Sequence, residues 1–272
     1  MGLRINTNVA ALNTTRSLRN NTVALNKSLE RLSSGLRINR AADDAAGLAI
    51  AEGFRSQVRG LAVSQRNSQD GISLVQTAEG ALQETSNALQ RIRELAVQSA
   101  NGTNSTDNRV ALNAEVLQLL QQVDDIALDT EYNGLRVLSV AQTITLQAGF
   151  QPGQTLVLNV TGAKTNDLGV NTVSISTVAG AVSAISTVDV ALRSLNLIRG
   201  NLGATQNRLE FTINTLAIQE ESATYSESQI RDADIARETS IFTRNQILVS
   251  AGTSVLAQAN IIPQTALQLL GG

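Results

Sequence analysis

The side chains able to carry chemistry in this chain of 272 residues are carboxylates, guanidiniums and hydroxyls, because it holds no histidine and no cysteine. Histidine is the usual proton carrier near neutral pH and the commonest metal ligand, and cysteine is the thiolate nucleophile. Zinc sites, Ser-His-Asp triads, Cys-His pairs and disulfides are therefore excluded, and most hydrolases and redox enzymes go with them. The adjacent acids Asp43 and Asp44 stand just ahead of a long apolar-periodic stretch, where carboxylates cap a helix and oppose its dipole. Capping accounts for both without an acid–base role. No catalytic, cofactor-binding or metal-ligating residue is expected. Basic residues are 19 Arg against two Lys (Lys27, Lys164), and the net charge of −2 argues against a dedicated nucleic-acid binder.

The elements that must carry these side chains are aliphatic. Only six aromatics occur (Phe54, Tyr132, Phe150, Phe211, Tyr225, Phe242), while Ser, Thr, Asn and Gln total 92. An apolar share of 42% is enough to fold, and a charged share of 16% is too low for a charge-solvated disordered chain. Residues 1–66 carry a net +6 and residues 67–135 a net −7, while residues 245–272 carry no charge at all. Polar residues interrupt that uncharged stretch every two or three positions, so membrane insertion is not expected. The first 19 residues build no apolar run of the kind a secretory signal needs, so routing by such a signal is not expected.

Periodicity supplies the architecture. Leu18, Thr22, Leu25, Leu29, Leu32 and Leu36 alternate spacings of 4 and 3, a heptad seam; Ile5, Val9 and Leu12 begin another in a shifted frame. The frame Phe54, Val58, Leu61, Gln65, Ser68, Ile72, Val75, Ala78, Leu82, Thr85, Leu89, Ile92, Ala96, Ser99 continues without a proline, a rod of roughly 70 Å at the helical rise. Asn101-Gly102 ends it. After a cap at residues 105–107 come Leu112, Val116, Leu119, Val123 and Ile126. Between about 140 and 178 the period becomes 2, with Ile144, Leu146, Ala148 and Phe150, a turn at 151–154, then Leu156, Leu158 and Val160, which predicts a β-hairpin. The stretch up to Thr177 reads as further short strand and turn. Helix returns with Val188, Leu192, Leu195, Leu202, Leu209, Ile213 and Leu216, with Arg199 and Gln206 in the gaps. A last helix carries Leu248, Val255, Ile262, Ala266 and Leu269, with a kink or break at Pro263. The fold class is mainly α, a long antiparallel helical bundle with a small β-hairpin insertion. The seams at either end stand outside the central bundle, so the ends pair with each other or with neighbouring molecules.

Several segments are specific enough to resemble a known family. Residues 31–39 (RLSSGLRIN), 43–50 (DDAAGLAI), 67–74 (NSQDGISL), 77–82 (TAEGAL) and 90–98 (QRIRELAVQ) look like the amino-terminal core of bacterial flagellin. Residues 202–209 (LGATQNRL), 230–235 (IRDADI) and 256–260 (LAQAN) resemble its carboxy-terminal core. The likeness covers about 1–140 and 188–272, and it implies a short form with little or no variable outer domain. It further implies a terminal coiled-coil domain, 1–43 plus 231–272, and a helical shell domain, 44–230, that includes the hairpin region 141–178.

The resemblance implies a structural, non-enzymatic subunit that polymerises into the extracellular flagellar filament for swimming. Such subunits are exported unfolded by a type III apparatus with an export chaperone, and polymerise at the distal tip beside cap and hook-associated proteins. Residues Leu18, Leu25, Leu29, Leu32, Leu36, Leu248, Val255, Ile262 and Leu269 are the expected assembly seams. By resemblance Arg91, Leu95 and Glu115 match positions that contact a flagellin-sensing Toll-like receptor of hosts, and Leu267, Leu269 and Leu270 the leucines read by cytosolic innate sensors. Protofilament packing is the native role expected of the first three, with receptor contact a consequence of the same surface. Thr161, Thr165 and Ser174 are candidate O-glycan sites on the outward segment. The rival readings are a hook–filament junction protein of the same family and a non-flagellar coiled-coil scaffold. A peptidase-bearing variant would need a His-Glu-x-x-His helix, and the chain has no histidine.

Overall fold

The computed structural model describes residues 7–270, with five helices and two small antiparallel hairpins among them. The helices are α1 (Val9–Ser34), α2 (Ala45–Ala100), α3 (Thr106–Asp129), α4 (Val178–Arg231) and α5 (Ile235–Leu270). Two-stranded sheets are formed by β1 (Glu131–Tyr132) with β2 (Leu135–Arg136), and by β3 (Gln142–Gln147) with β4 (Thr155–Val160). The mainly α fold expected from periodicity is the fold observed.

Helix limits follow local chemistry. Asn8 caps α1 by accepting from the Ala11 amide at 3.0 Å, and Gly35, at φ 72°, closes its other end by donating to the Arg31 carbonyl. That left-handed geometry is what a C-terminal cap needs and what glycine adopts without a Cβ penalty. Asp44 caps α2, accepting from the Gly47 amide at 2.8 Å. Asp43 does not share the role expected of both acids: it accepts from the amides of Asn39 and Arg40 and pairs with Lys27 at 2.8 Å, fastening the connector ahead of the helix. Helix α5 runs on through Pro263 to Leu270, so the expected break is not there. The side chains of residues 262–264 and 266–270 lie outside the described ones, as does Ile5, and with them the seam positions Ile262 and Leu269 and the sensor leucines Leu267, Leu269 and Leu270.

The chain divides into two compact units, Met1–Ser56 with Ser222–Gly272, and Gln57–Glu221. The division falls inside α2 and α4, not at 43/44 and 230/231, because the first turns of α2 and the last of α4 are fastened to the connectors beside them. Arg231 pairs with Glu52 at 3.0 Å, and Ile38, 2% exposed, lies against Gly47.

In the unit Gln57–Glu221 the core is an aliphatic seam. Leu61, Ile72, Val75, Ala78, Leu82, Leu89, Ile92 and Ala96 of α2 are buried with Val188, Leu195, Leu202, Leu209 and Leu216 of α4, and with Val116 and Val123 of α3. This is the frame that the 4-3 spacing picked out. Where it turns small, at Gly60, Ser64, Ser68 and Gly71, the second hairpin lies close: Phe150 fills the space beside Gly60, and Leu146 the space beside Gly71 and Leu209. The buried hydroxyls of Ser64 and Ser68 donate to carbonyls one turn back, at 2.9 Å each, so they carry no unmet hydrogen bond into that contact.

Residues 161–177 are turns, with no strand, contrary to the expected strand and turn. Polar side chains of α3 hold this segment instead. Asp124 accepts from the Thr165 amide and hydroxyl at 2.8 and 2.9 Å, and Asn113 accepts from the Ile175 amide at 2.8 Å. The first hairpin turns at Asn133-Gly134, both at positive φ (51° and 77°), a two-residue turn signal that periodicity alone passed over.

Candidate interaction surfaces

Two surfaces gather the residues singled out in the sequence. One is the terminal pair, in the unit Met1–Ser56 with Ser222–Gly272. Helices α1 and α5 lie antiparallel, with Asn8 donating to the Ala259 carbonyl at 2.8 Å near one end and Arg31 facing Glu238 at 3.5 Å near the other. Between them Leu18 sits against Gly252, its Cδ1 3.3 Å from where a Cβ would stand.

The less exposed residues of α1 include Ala11, Thr14, Leu18, Asn21, Leu25, Ser28 and Leu32, and those of α5 include Glu238, Phe242, Asn245, Val249, Gly252, Leu256 and Ala259, with Glu30, Arg31 and Ile241 beside these frames. Both are heptad frames. Of the expected seam, Leu18, Leu25 and Leu32 face the partner helix. Leu29 is 54% exposed, Thr22 is exposed, and Leu36 lies beyond the helix end. On α5 the expected residues Leu248 and Val255 are 43% and 55% exposed, one position away from the true frame. The physical reason is the composition of the seam. Stepping by heptads from the Leu18–Gly252 contact sets Leu25 level with Asn245 and Leu32 with Glu238, while Thr14, Asn21 and Ser28 meet Leu256, Val249 and Phe242. Each of these six levels matches one large apolar residue with one small or polar one, and Ala11 meets Ala259 at a seventh, small on both sides.

The apolar residues left over point outward: Leu12, Val23 and Leu29 on α1, and Ile247, Leu248, Val255 and Ile261 on α5. Hydroxyls share the outward face of α5 beside a groove formed by Thr239, Ser240, Thr243, Arg244, Ile247 and Leu248. Thr239, Ser240 and Thr243 donate to carbonyls one turn back at 2.7, 3.1 and 2.9 Å. Those three hydroxyls can be buried without stranding their donors.

The second surface is the arginine cluster of α2. Arg91 donates to Glu115 of α3 (3.0 and 2.9 Å) and to Glu94 at 3.1 Å, all three being solvent-accessible. Hydrogen bonding to Glu115, then to Glu94, holds the pKa of the Arg91 guanidinium above its ordinary range. The structure brings Arg91 and Glu115 together as a pre-formed pair, but it separates Leu95 from them. That side chain is 1% exposed and part of the core. Leu95 therefore supports the surface from beneath and offers no contact, a correction to its expected role. Thr165, 6% exposed and bonded to Asp124, is likewise withdrawn as a glycan site.

Sequence reasoning passed over Arg109. It is 8% exposed and donates to the carbonyls of Ser99, Asn101 and Asn104 at 2.9, 2.8 and 2.7 Å, closing the C-terminus of α2. No short-range pattern marks such a residue. The heptad positions Asn21, Ser28, Asn245 and Gly252 could have been found by continuing the Leu18 and Ala259 frames through polar residues.

An aliphatic bundle joined to a helix pair whose seam is half small or polar, with large apolar side chains left exposed outside it, is the architecture of a helical structural subunit and not of an enzyme cleft. The chain belongs to the bacterial flagellin family, matching the bacterial flagellin N-terminal helical region over residues 5–143 and the C-terminal helical region over residues 185–270. It is 47% identical to a flagellin of Halalkalibacterium halodurans over 98% of this chain and 99% of that one. It is 42% identical to the flagellar filament 33 kDa core protein of Treponema phagedenis, over 98% and 99%. The crystal structure of Bacillus cereus flagellin, 32% identical, covers 56% of this chain and 88% of that one with a TM-score of 0.49. Relatives that match end to end are flagellins and filament core proteins, so the hook–filament junction and non-flagellar scaffold readings are not favoured.

Proposed function

We propose that the chain is the structural subunit of an extracellular flagellar filament serving swimming, and that the outward faces of α1 and α5 are where successive copies meet. The observation behind this is that only half of the positions in the terminal seam are large and apolar, while further large apolar side chains, Leu12, Val23 and Leu29 on α1 and Ile247, Leu248 and Val255 on α5, are left exposed. A helix pair complete in itself turns such side chains inward. The uncharged stretch 245–272 supports the same reading, because burying unpaired charge at a contact is costly. The reading includes no catalytic role. It takes the subunit to be exported unfolded, without a cleaved signal peptide, through a type III apparatus with its chaperone, and to add at the distal tip beside cap and hook-associated proteins. Removing residues 245–272 should leave a folded, soluble bundle that forms no filaments by electron microscopy after seeding. Filaments of ordinary length from the truncated chain would reject the assignment.

A second reading concerns the Arg91–Glu115 pair, which we infer to be a contact for the host flagellin-sensing Toll-like receptor on free subunits. Its support is the exposed, pre-organised geometry of the two side chains. Arg91→Asp should cut receptor signalling by purified subunit at least tenfold, since charge-assisted pairs are worth about 1.5–3 kcal/mol. Undiminished signalling would remove the pair from the contact.

A further inference from the structure

The seam of the terminal pair cannot fix its own alignment. Sliding α5 by half a heptad would set leucine against phenylalanine and polar against polar, which the layer pattern opposes. Sliding by a whole heptad keeps the match of large apolar with small or polar at the leucine levels: Leu18 meets Asn245 and Leu25 meets Glu238, or Leu25 meets Gly252 and Leu32 meets Asn245. That slip of about 10 Å would re-pair every outward residue, so something outside the seam must choose among the alignments.

The connectors at the root of the pair are joined backbone to backbone. The Arg37 amide donates to the Arg231 carbonyl at 2.7 Å, and the Ala233 amide donates to the Gly35 carbonyl at 2.9 Å. Together they make a bridge between Leu36 and Asp232. The Arg37 guanidinium adds charge-assisted hydrogen bonds to the Ile230 carbonyl, 3.1 Å from its Nε, at the last turn of α4. Ile38 is buried beside them. Two residues past the bridge, Asp234 caps α5 by accepting from the Arg237 amide at 3.1 Å. The start of α5 and the end of α1 are thus fixed within a few residues of a common point.

We propose that this clamp of residues 35–38 on 230–233 sets the register of the terminal pair, with Arg37 as its positioning residue, and so decides which outward side chains of α1 and α5 line up. The functional consequence rests on the reading that those faces meet the next copy; the register claim itself does not. Arg31–Glu238, the first side-chain pair beyond the clamp, reinforces the choice: a one-heptad slip separates the two charges, and a half-buried charge left alone is penalised.

The test exploits the absence of cysteine. A Cβ at position 252 would stand 3.9 Å from that of Leu18, inside the ~3.5–4.5 Å span of a disulfide. Leu18→Cys with Gly252→Cys therefore reports the native register in the full chain, and Leu25→Cys with Gly252→Cys reports the one-heptad slip. With Arg37 intact the native reporter should oxidise and the slip reporter should stay at background. Arg37→Ala should lower the initial rate of the native reporter about tenfold, the scale of one lost charge-assisted hydrogen bond, and raise the slip reporter, while Arg37→Lys falls between. The cross-linked native-register fraction of Arg37→Ala should polymerise as the cross-linked parent does. Unchanged reporter rates in Arg37→Ala would overturn the proposal. A fall in both reporters would also overturn it, by making the clamp a simple tether, and so would failure of the cross-linked variant to polymerise when the cross-linked parent does. If both cross-linked chains fail, the reading of the outward faces falls while the register claim stands on the two rates.

Discussion

The two helical seams of this chain were built by opposite rules. Along α2 and α4, within Gln57–Glu221, aliphatic side chains turn inward and disappear: Leu82, Leu89, Leu195 and Leu209 are each 0% exposed. Along α1 and α5 the inward positions are Thr14, Asn21, Ser28, Asn245 and Gly252 as much as leucine, and further large apolar residues face out. The first seam completes itself within one chain. The second leaves large apolar side chains exposed, and under the proposed function a neighbouring copy covers them, which would put subunit stability in one region and association in the other.

The sharpest way to break this contrast is to cut the same side chain in both. Leu89→Ala in the buried seam should lower the unfolding free energy of the isolated subunit by ~2–5 kcal/mol in urea titration, the lost transfer energy plus a cavity. Leu29→Ala, on the outward face of α1, should change it by less than ~0.5 kcal/mol. Equal losses at the two sites would mean that the terminal pair draws on the same kind of core as the bundle.

A smaller effect sharpens the account at the connector. Side-chain hydrogen bonding from Lys27, followed by backbone hydrogen bonding from Arg40, holds the Asp43 carboxyl down from 3.8 to about 2. A carboxyl depressed on folding contributes stability that is complete above its unfolded pKa and is lost as pH falls through the folded one. The Asp43 contribution should therefore be intact at pH 5 and fade on acidification from pH 3.8 toward about 2. Asp43→Asn should remove that part of the pH dependence from urea unfolding curves, by no more than the ~1 kcal/mol of an exposed ion pair. An identical pH profile in the variant would assign Asp43 no role in holding the connector.

What the sequence made legible follows the same division. The frame from Leu61 to Ser99 was readable because burial there is aliphatic and periodic, and the second hairpin because alternation on both strands brackets a Pro-Gly turn. The terminal seam was half readable. Leu18, Leu25 and Leu32 lie in it, but the conspicuous partners Leu29, Leu248 and Val255 do not, since a leucine stripe marks any surface that will be buried, whether within the chain or against another copy. Arg37 and Arg109 left no periodic trace, because each acts on backbone carbonyls supplied by the fold rather than on a side chain at a fixed spacing. Leu95 was misplaced for a related reason: a motif gives the order of residues, while burial depends on what α3 and the following segment lay over them.

The most direct measurement is polymerisation of a chain altered only on the outward face of α5, Leu248→Ser with Val255→Ser. Both side chains are substantially exposed in the subunit, so its urea midpoint should match the parent. The critical concentration for seeded polymerisation should rise at least tenfold, because each side chain buried at a contact contributes about 1.5–3 kcal/mol. An unchanged critical concentration, or a loss of subunit stability with polymerisation intact, would contradict the assignment of that face to copy-to-copy contact.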